Sequence, residues 1–266
     1  MLLVERGGTL DEAARTWWGE RALLEGTAVA LRVGPLSLWM ATRGSELWVA
    51  SHSGDGLLDS SVSVEQLPDQ GVPEGHELIR IGRAKDNDGR VVLSPLLADR
   101  PVVVRPESRF LLPRRVTVQG FVSTLVWVRV STGEHSLDLP PLPPKSTWFG
   151  PSPREGLVAY ASRTRLRMSR DELVHLPHRA ITLVSLHNHG KEPLDIQRVR
   201  LPIPALALYA TAESALFTDA VDFELAEDPS LTEVRIRPPP DPGERIAEPH
   251  RKGDDNVLLR MLNFFA

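Results

Sequence analysis

The chain has 266 residues, of which 41% are hydrophobic and 25% are charged, and its formal net charge at pH 7 is −4. This composition is typical of a globular protein with a packed core and excludes a largely disordered chain. The negative net charge argues against a general nucleic-acid binder, whose phosphate contacts require a basic surface. The absence of cysteine excludes disulfides, thiol catalysis and cysteine-ligated metal sites.

The N-terminal residues do not have the pattern of a secretory signal. The sequence MLLVERGGTLDEAA has an acidic residue at position 5 and lacks the apolar core of a signal peptide. The chain also contains no apolar run long enough to cross a bilayer. We therefore expect a cytoplasmic protein without a membrane span, and the length suits two domains of about 100 to 150 residues each.

The first half of the chain alternates apolar and polar residues with a period of two, which indicates β-strands. The segment TAVALRVGPLSLWMATRGSELWVASHS predicts three strands separated by Gly34-Pro35 and by Arg43-Gly44-Ser45. The segment HELIRIGRAKDNDGRVVLSP predicts a hairpin closed around Asp88-Gly89. Further strands are predicted in RPVVVRPESRF, RRVTVQGFV and TLVWVRVS, which are rich in valine.

The second half has the same character. EGLVAYASRTRLRMS predicts one long strand, and RAITLVSLHN with PLDIQRVRLP predicts a hairpin around HGKE. The proline-rich run LDLPPLPPKS cannot lie inside a sheet, so it marks a connection between domains. We therefore predict an all-β protein with two β-sandwich-like (Ig-like) domains, an N-terminal one over residues 1–112 and a C-terminal one over 113–250.

The last segment, residues 251–266, predicts a short amphipathic α-helix. Asp254 or Asp255 is suited to the N-cap of this helix. Its apolar residues recur at helical spacing: Val257, Leu258, Met261, Leu262 and Phe265. A helix of this length needs a surface to pack against. That surface is either its own domain, a second copy of the chain in a homo-oligomer, or a groove on a partner.

Four histidines within fifteen residues raise the question of a metal site; they are His175, His178, His187 and His189. A His-x-His pair on a strand directs both rings to one side, as in some zinc sites. However, His189 precedes Gly190 at a predicted turn, and no acidic ligand lies at a metal-binding spacing. The sequence also lacks a nucleophile elbow and a phosphate-binding glycine loop. We therefore assign no metal, no cofactor and no catalytic residue.

Arginine dominates the basic residues, since only four of the 31 are lysine. In three predicted strands arginines recur two residues apart, so that one face of each strand is basic. If these strands share a sheet, their arginines form either a solvated face with cross-strand ion pairs to Asp222 and Glu224 or a face that binds anions or docks a partner. The seven residues of this candidate face are Arg163, Arg165, Arg167, Arg198, Arg200, Arg235 and Arg237.

Two long runs resemble the bacterial branch of the domain of unknown function 432 family. The first includes RVGPLSLWMATRGSELWVAS and SPLLADRPVVVRPESRFLLPRRVTVQGFVSTLVWVRV, and the second extends from PLPPKSTWFGPSPREGLVAYASRTRLRMS to HRAITLVSLHNHGKEPLDIQRVRLPIPALALYA. The resemblance covers most of residues 17–245 in collinear order. The most specific residues are Trp148, Gly150, Pro151, Tyr160, His178, Arg179 and Asn188.

The resemblance implies no activity and no catalytic residue, because none is assigned in the family. Some members accompany or are fused to small mechanosensitive channels, which implies a non-enzymatic cytosolic interaction or regulatory module with a protein partner. We interpret Trp148 to Pro151 as an aromatic plug followed by a turn, and Asn188 as the residue of an Asx-type turn. Two alternatives stay open: a small-ligand or carbohydrate-binding β-sandwich with exposed Trp39, Trp48 or Trp148, and a metal-dependent hydrolase.

Overall fold

The computed structural model describes residues 16–82, 89–152, 155–171, 173–226, 232–240 and 243–251. Within these residues the chain forms strands β1 to β22 and a single 3-10 turn at Ile203–Ala205. The prediction of an all-β protein is therefore confirmed. The helix predicted over residues 251–266 lies, apart from Arg251, outside the described residues.

The strands follow each other closely along the chain. In chain order they are β1 (Gly19–Ala22), β2 (Thr27–Val33), β3 (Leu36–Arg43), β4 (Glu46–Ser53), β5 (Val62–Pro68), β6 (Glu77–Gly82), β7 (Arg90–Leu96), β8 (Val102–Pro106), β9 (Phe110–Leu112), β10 (Thr117–Leu125), β11 (Trp127–Thr132), β12 (His135–Leu139), β13 (Ser146–Ser152), β14 (Glu155–Leu166), β15 (Arg179–Asn188), β16 (Leu194–Ile196), β17 (Val199–Leu201), β18 (Leu208–Ala210), β19 (Leu216–Thr218), β20 (Ala220–Leu225), β21 (Glu233–Arg237) and β22 (Glu244–Ala247).

The strands belong to two compact units, one of residues 1–94 with 128–142 and the other of residues 95–127 with 143–266. The chain therefore passes from one unit to the other three times. One of these crossings, between Leu142 and Pro143, lies in the proline-rich run LDLPPLPPKS.

The first unit contains two sheets. Strands β5-β2-β3-β4-β6 form an antiparallel sheet of five, and β1-β7-β11-β12 form a sheet of four. The three strands predicted from the first alternating segment are β2, β3 and β4. The backbone turns between them at Gly34 and Gly44, whose φ angles of 56° and 58° lie in the left-handed region that glycine adopts most easily.

The second unit contains three sheets. A sheet of four strands has the order β13-β14-β8-β17, and a short pair joins β9 to β16. In the largest sheet, β21-β20-β15-β19-β18-β22, the central strand β15 also pairs with β10 over nine residues, from Thr117 opposite His187 to Leu125 opposite Arg179. Eight of the ten residues of β15 are buried, as expected for a strand covered on both faces.

Two predicted hairpins are wrong. β6 is an edge strand of the five-stranded sheet, whereas β7 pairs with β1 and β11 in the other sheet of its unit. β15 lies between β10 and β20, whereas β16 pairs with β9. In both cases two strands that follow each other in the chain have hydrogen-bonding partners that are distant in the sequence. Local turn residues do not identify such partners.

Candidate anion-binding site

The seven arginines of the predicted basic face lie in two different sheets of the second unit. Arg163 and Arg165 belong to β14, and Arg198 and Arg200 lie on or beside β17, in the four-stranded sheet. Arg235 and Arg237 belong to β21 in the largest sheet, and Arg167 follows β14. The seven side chains therefore do not form one continuous field, and each group has its own electrostatic surroundings.

The arginines of β21 are neutralised by acidic residues of β20 and of β21 itself. Arg237 makes a two-armed ion pair with Asp222, in which Nη2 lies 2.7 Å from Oδ1. Arg235 lies 3.1 Å from Glu233 and 3.7 Å from Glu224. The hydrogen bonds to Asp222 raise the pKa of Arg237 above its ordinary value. This part of the basic face is thus a set of ion pairs, one within β21 and the others between β21 and β20.

The arginines of the four-stranded sheet are arranged differently, because they stand opposite one another on adjacent strands. Arg165 on β14 is the register partner of Arg105 on β8. On the other side of β8, Val199 pairs with Val104, which places Arg198 next to Arg105. Neighbouring strands are about 4.8 Å apart, so three guanidinium groups form a row across three strands. Like charges placed directly opposite each other repel.

A bulge in β14 sets this alignment. Ala161 pairs with Val103 and Arg165 pairs with Arg105, so residues 162–164 of β14 lie opposite the single residue Val104 of β8 and β14 contains two extra residues. The Thr164 hydroxyl donates to the Ser123 carbonyl at 2.6 Å, and its backbone N–H donates to Ser162 Oγ at 3.1 Å. These bonds hold the bulge, which is a common device for re-aiming a side chain at a functional site.

The arginine row lines an open depression with a volume of about 350 Å³, which we call the arginine depression. Its walls are formed by Arg105, Pro106, Arg109, Arg165, Gln197 and Arg198. Arg109 is neutralised by Asp195, with Nε 2.8 Å from Oδ1, and Gln197 donates to the same carboxylate at 2.8 Å. Among the described residues no acidic group pairs with Arg105, Arg165 or Arg198. The guanidinium groups of these three arginines therefore remain available to a ligand.

A further arginine lies buried on β17, two residues after Arg198. Arg200 is only 3% exposed, and its guanidinium carbon lies 5.7 Å from the centre of the Phe149 ring. The guanidinium of Arg198 approaches the same ring at 5.8 Å. Within the described part of the chain the Nε of Arg200 has no hydrogen-bond partner, and burial lowers the pKa of this side chain. The local excess of positive charge therefore extends beneath the surface.

Two further arginines of the predicted face, Arg163 and Arg167, also lie outside the depression. Arg163 is in the bulge, where its Nη2 donates to the carbonyl of Pro143 at 2.8 Å. Arg167 lies 3.6 Å from Glu107. Conversely, sequence reasoning did not select Arg105 and Arg109. Arg105 is a single arginine after a run of valines, so its only signal was the period-two alternation that places it on the same face as Val103.

The residues that carry the family resemblance surround β15 and the β13–β14 hairpin. His178 and Arg179 are buried at the start of β15, where Arg179 donates to the side chain and carbonyl of Ser123 at 2.9 and 3.0 Å. Asn188 is buried at the other end. Its Oδ1 accepts from the N–H of Gly190 at 2.9 Å, which forms an Asx turn. These contacts fix both ends of the central strand.

The other family residues belong to the β13–β14 hairpin. Trp148, Gly150 and Pro151 lie on β13, where the register shifts between Phe149 and Ser152. Trp148 is 38% exposed, whereas Phe149 is buried against Val103 and Ala159. Tyr160 on β14 donates to Asp99 at 2.9 Å.

The histidines do not assemble a metal centre. His187 and His189 stack with 6.3 Å between ring centres, but His187 bonds to Thr117 and His189 to Glu224. In the described ranges, no three His, Asp or Glu side chains are grouped so that they could hold a metal ion.

Trp39 and Trp48 of the first unit do not present an open aromatic surface. Trp39 is 5% exposed. The ring of Trp48 is covered by two guanidinium groups, those of Arg43 at 4.3 Å and Arg80 at 5.1 Å from its centre. Sugar sites use exposed aromatic faces, so this geometry does not favour a carbohydrate site at Trp39 or Trp48.

Residues 17–265 match the family described as "Protein of unknown function (DUF432)". The chain belongs to the DUF432 family. This match covers nearly the whole chain, including both compact units and every residue of the arginine depression. No curated protein and no solved structure matches it.

Proposed function

We propose that this DUF432 protein is a non-enzymatic binding module whose arginine depression takes up a compact, multiply charged phosphate-bearing anion. The observation that carries the proposal is the row Arg165-Arg105-Arg198 across three adjacent strands. A guanidinium presents a planar fork of N–H donors that matches phosphate oxygens, and several forks converge on one small space. An anion held there offsets the repulsion between the three cations.

The depression suits a small polyanion better than an extended partner segment. Its volume of about 350 Å³ is that of a small-molecule cleft, and its charge comes from side chains on rigid strands. Arg109 adds a further cation, which Asp195 holds in place. An acidic peptide or an anionic membrane surface would make use of a broader basic area than this one.

The test is a calorimetric titration with inorganic pyrophosphate. We expect saturable binding, and we expect Arg165→Gln and Arg198→Gln each to weaken it about tenfold or more, because each removes a charge-assisted hydrogen bond worth roughly 1.5–3 kcal/mol. Arg235→Gln is the matched control, since that side chain is paired with Glu233 and Glu224 in another sheet. The Arg235→Gln variant should bind pyrophosphate with the same affinity as the wild type.

Three outcomes would argue against the proposal. The first is the absence of pyrophosphate binding, and the second is an equal loss in the Arg235→Gln control. The third is tighter binding of an acidic peptide or of anionic vesicles than of pyrophosphate through the same arginines, which would identify a macromolecular partner instead.

We also propose, from the strand patterns and the family resemblance, that each unit is a β-sandwich and that the protein acts in the cytoplasm as a regulatory module beside a small mechanosensitive channel. In the described part of the chain, no helix is long and apolar enough to cross a membrane. A pull-down of the tagged protein with and without membranes tests the channel partner. The same experiment tests self-association through residues 251–266.

A further inference from the structure

A second, smaller cavity lies beside Tyr160 in the second unit. Its volume is about 40 Å³, and much of its wall is apolar, including Val102, Leu125 and Trp127. The polar side chains that line it are those of Thr124, Lys145, Tyr160, Ser162 and Arg163. An apolar cavity with a few convergent polar groups is the common form of a small-molecule site. None of these residues lines the arginine depression.

Thr124 presents an unused hydroxyl to this cavity. The residue is 3% exposed, and its Oγ1 has no hydrogen-bond partner within the part of the chain that the structure describes. Leaving a buried hydroxyl unsatisfied is unfavourable, so such groups normally bond to a water or a ligand. The neighbouring hydroxyls of Ser162 and Thr164 are already bonded to each other.

Two cations border the cavity, and at its Tyr160 side the hydroxyl donates to the carboxylate of Asp99. Lys145 is exposed and Arg163 half-buried, and none of the described acidic residues forms an ion pair with either. Arg163 uses Nη2 for the Pro143 carbonyl, and its other N–H groups remain to serve a ligand. Burial, followed by the charge of Arg163, lowers the pKa of Arg179 to about 10, so the electropositive region extends behind the wall.

We infer that this cavity binds a short monocarboxylic acid, whose carboxylate accepts hydrogen bonds from Thr124 and Arg163 and whose alkyl group packs against Trp127 and Val102. One buried water needs roughly 10–15 Å³ of cavity volume, so a cavity of about 40 Å³ has room for about three water molecules. A ligand the size of acetate or propionate fits that space. Inorganic phosphate lacks an apolar side for the remaining wall.

Titration of the full-length protein with sodium propionate, followed by NMR, tests this site. We expect saturable binding that Thr124→Val weakens about tenfold or more, because a hydrogen bond to a charged group is lost. Arg163→Gln should weaken it to a similar extent. Arg165→Gln, which alters only the arginine depression, is the control and should bind propionate as the wild type does.

Thr124→Val also separates a binding role from a structural one. Valine has nearly the same shape, and the hydroxyl that it removes has no partner among the described residues. The unfolding temperature should therefore be unchanged or higher, while propionate binding falls. A propionate affinity equal to that of the wild type in both Thr124→Val and Arg163→Gln would overturn the inference. So would no saturable binding, or phosphate binding as tightly as propionate.

Discussion

Arg165 and Arg105 illustrate how a local sequence pattern becomes a functional feature through long-range pairing. The alternation of arginines in EGLVAYASRTRLRMS indicates a basic strand face, and that part of the interpretation requires only the sequence. The identity of the opposing residue depends on the parallel register of β14 with β8 and on the bulge after Ala161. Neither is encoded in the local pattern, which is why Arg105 was missed.

The first prediction concerns Arg165. Without an anionic ligand and at low salt, Arg165→Gln should increase the free energy of unfolding by a few tenths of a kcal/mol, because it relieves repulsion with Arg105. The gain should disappear at high salt, where exposed charges are screened. Urea unfolding at two salt concentrations measures it.

Arg90→Gln is the matched control for this prediction. It removes an exposed ion pair with Glu20, so it should not stabilise the protein at low salt. A destabilised Arg165→Gln at low salt would contradict the account of the arginine row.

The second prediction concerns Asn188. Its Nδ2 donates to the carbonyls of Leu112 and Glu192 at 3.0 and 2.9 Å, and its Oδ1 accepts from Gly190. Asn188→Ala leaves these buried groups unsatisfied and should lower the free energy of unfolding by about 2–4 kcal/mol. Gln119→Ala, at an exposed position on β10, is the control and should lower the free energy of unfolding by less than about 0.5 kcal/mol. Denaturant unfolding measures both variants. Equal effects would mean that the Asx turn does not anchor β15.

At the scale of secondary structure elements, the positions of the strands can be predicted more easily than the pairing between them. Period-two alternation and Gly34 and Gly44 locate β2, β3 and β4, because neighbouring strands joined by tight turns pair with each other. The same reasoning fails for β6 with β7 and for β15 with β16, whose partners lie elsewhere in the chain. The central position of β15 shows in the structure as burial of eight of its ten residues, but its sequence RAITLVSLHN is interrupted by Thr182 and Ser185 and does not identify its neighbours.

The third prediction concerns the β13–β14 hairpin. A Cβ atom added at Gly156 would lie 2.7 Å from the carbonyl oxygen of Phe149 and 2.7 Å from Nε1 of Trp148. Because the first contact is with backbone, Gly156→Ala should destabilise the protein by about 1–3 kcal/mol. Gly82→Ala is the control, since a Cβ atom added at that glycine would meet no described atom within 4 Å. Thermal unfolding distinguishes the two, and equal stability would contradict the close approach.

The fourth prediction concerns the loop between β4 and β5. Asp59 accepts hydrogen bonds from the N–H of Ser61 at 2.8 Å and from Arg32 at 2.9 Å. The bonds from Ser61, followed by that from Arg32, lower the pKa of Asp59 from 3.8 to about 2. Because the folded pKa is depressed, Asp59 stabilises the fold above about pH 4, and this contribution is lost as the pH falls towards 2.

Asp59→Asn tests this assignment. The variant should be less stable than the wild type at pH 6, and the difference in unfolding temperature should shrink as the pH falls from 4 to 2. A difference that stays constant across this range would show that the carboxylate charge does not contribute.

At the scale of the whole molecule, the net charge of the chain is negative, whereas the local charge of the arginine depression is positive. The chain carries a formal charge of −4, which argued against nucleic acid, yet one depression collects four arginines of which only Arg109 is paired with an acid among the described residues. Most other exposed arginines of the described ranges, such as Arg32, Arg80 and Arg235, lie in ion pairs. This contrast makes the arginine depression a specific site on a molecule that otherwise repels anions.

The most direct test of this account is a crystal structure of the protein with inorganic pyrophosphate. We expect the anion in the arginine depression, with its oxygens within hydrogen-bonding distance of Arg105, Arg165 and Arg198. Pyrophosphate bound at another place, with the depression occupied by water alone, would contradict the central claim.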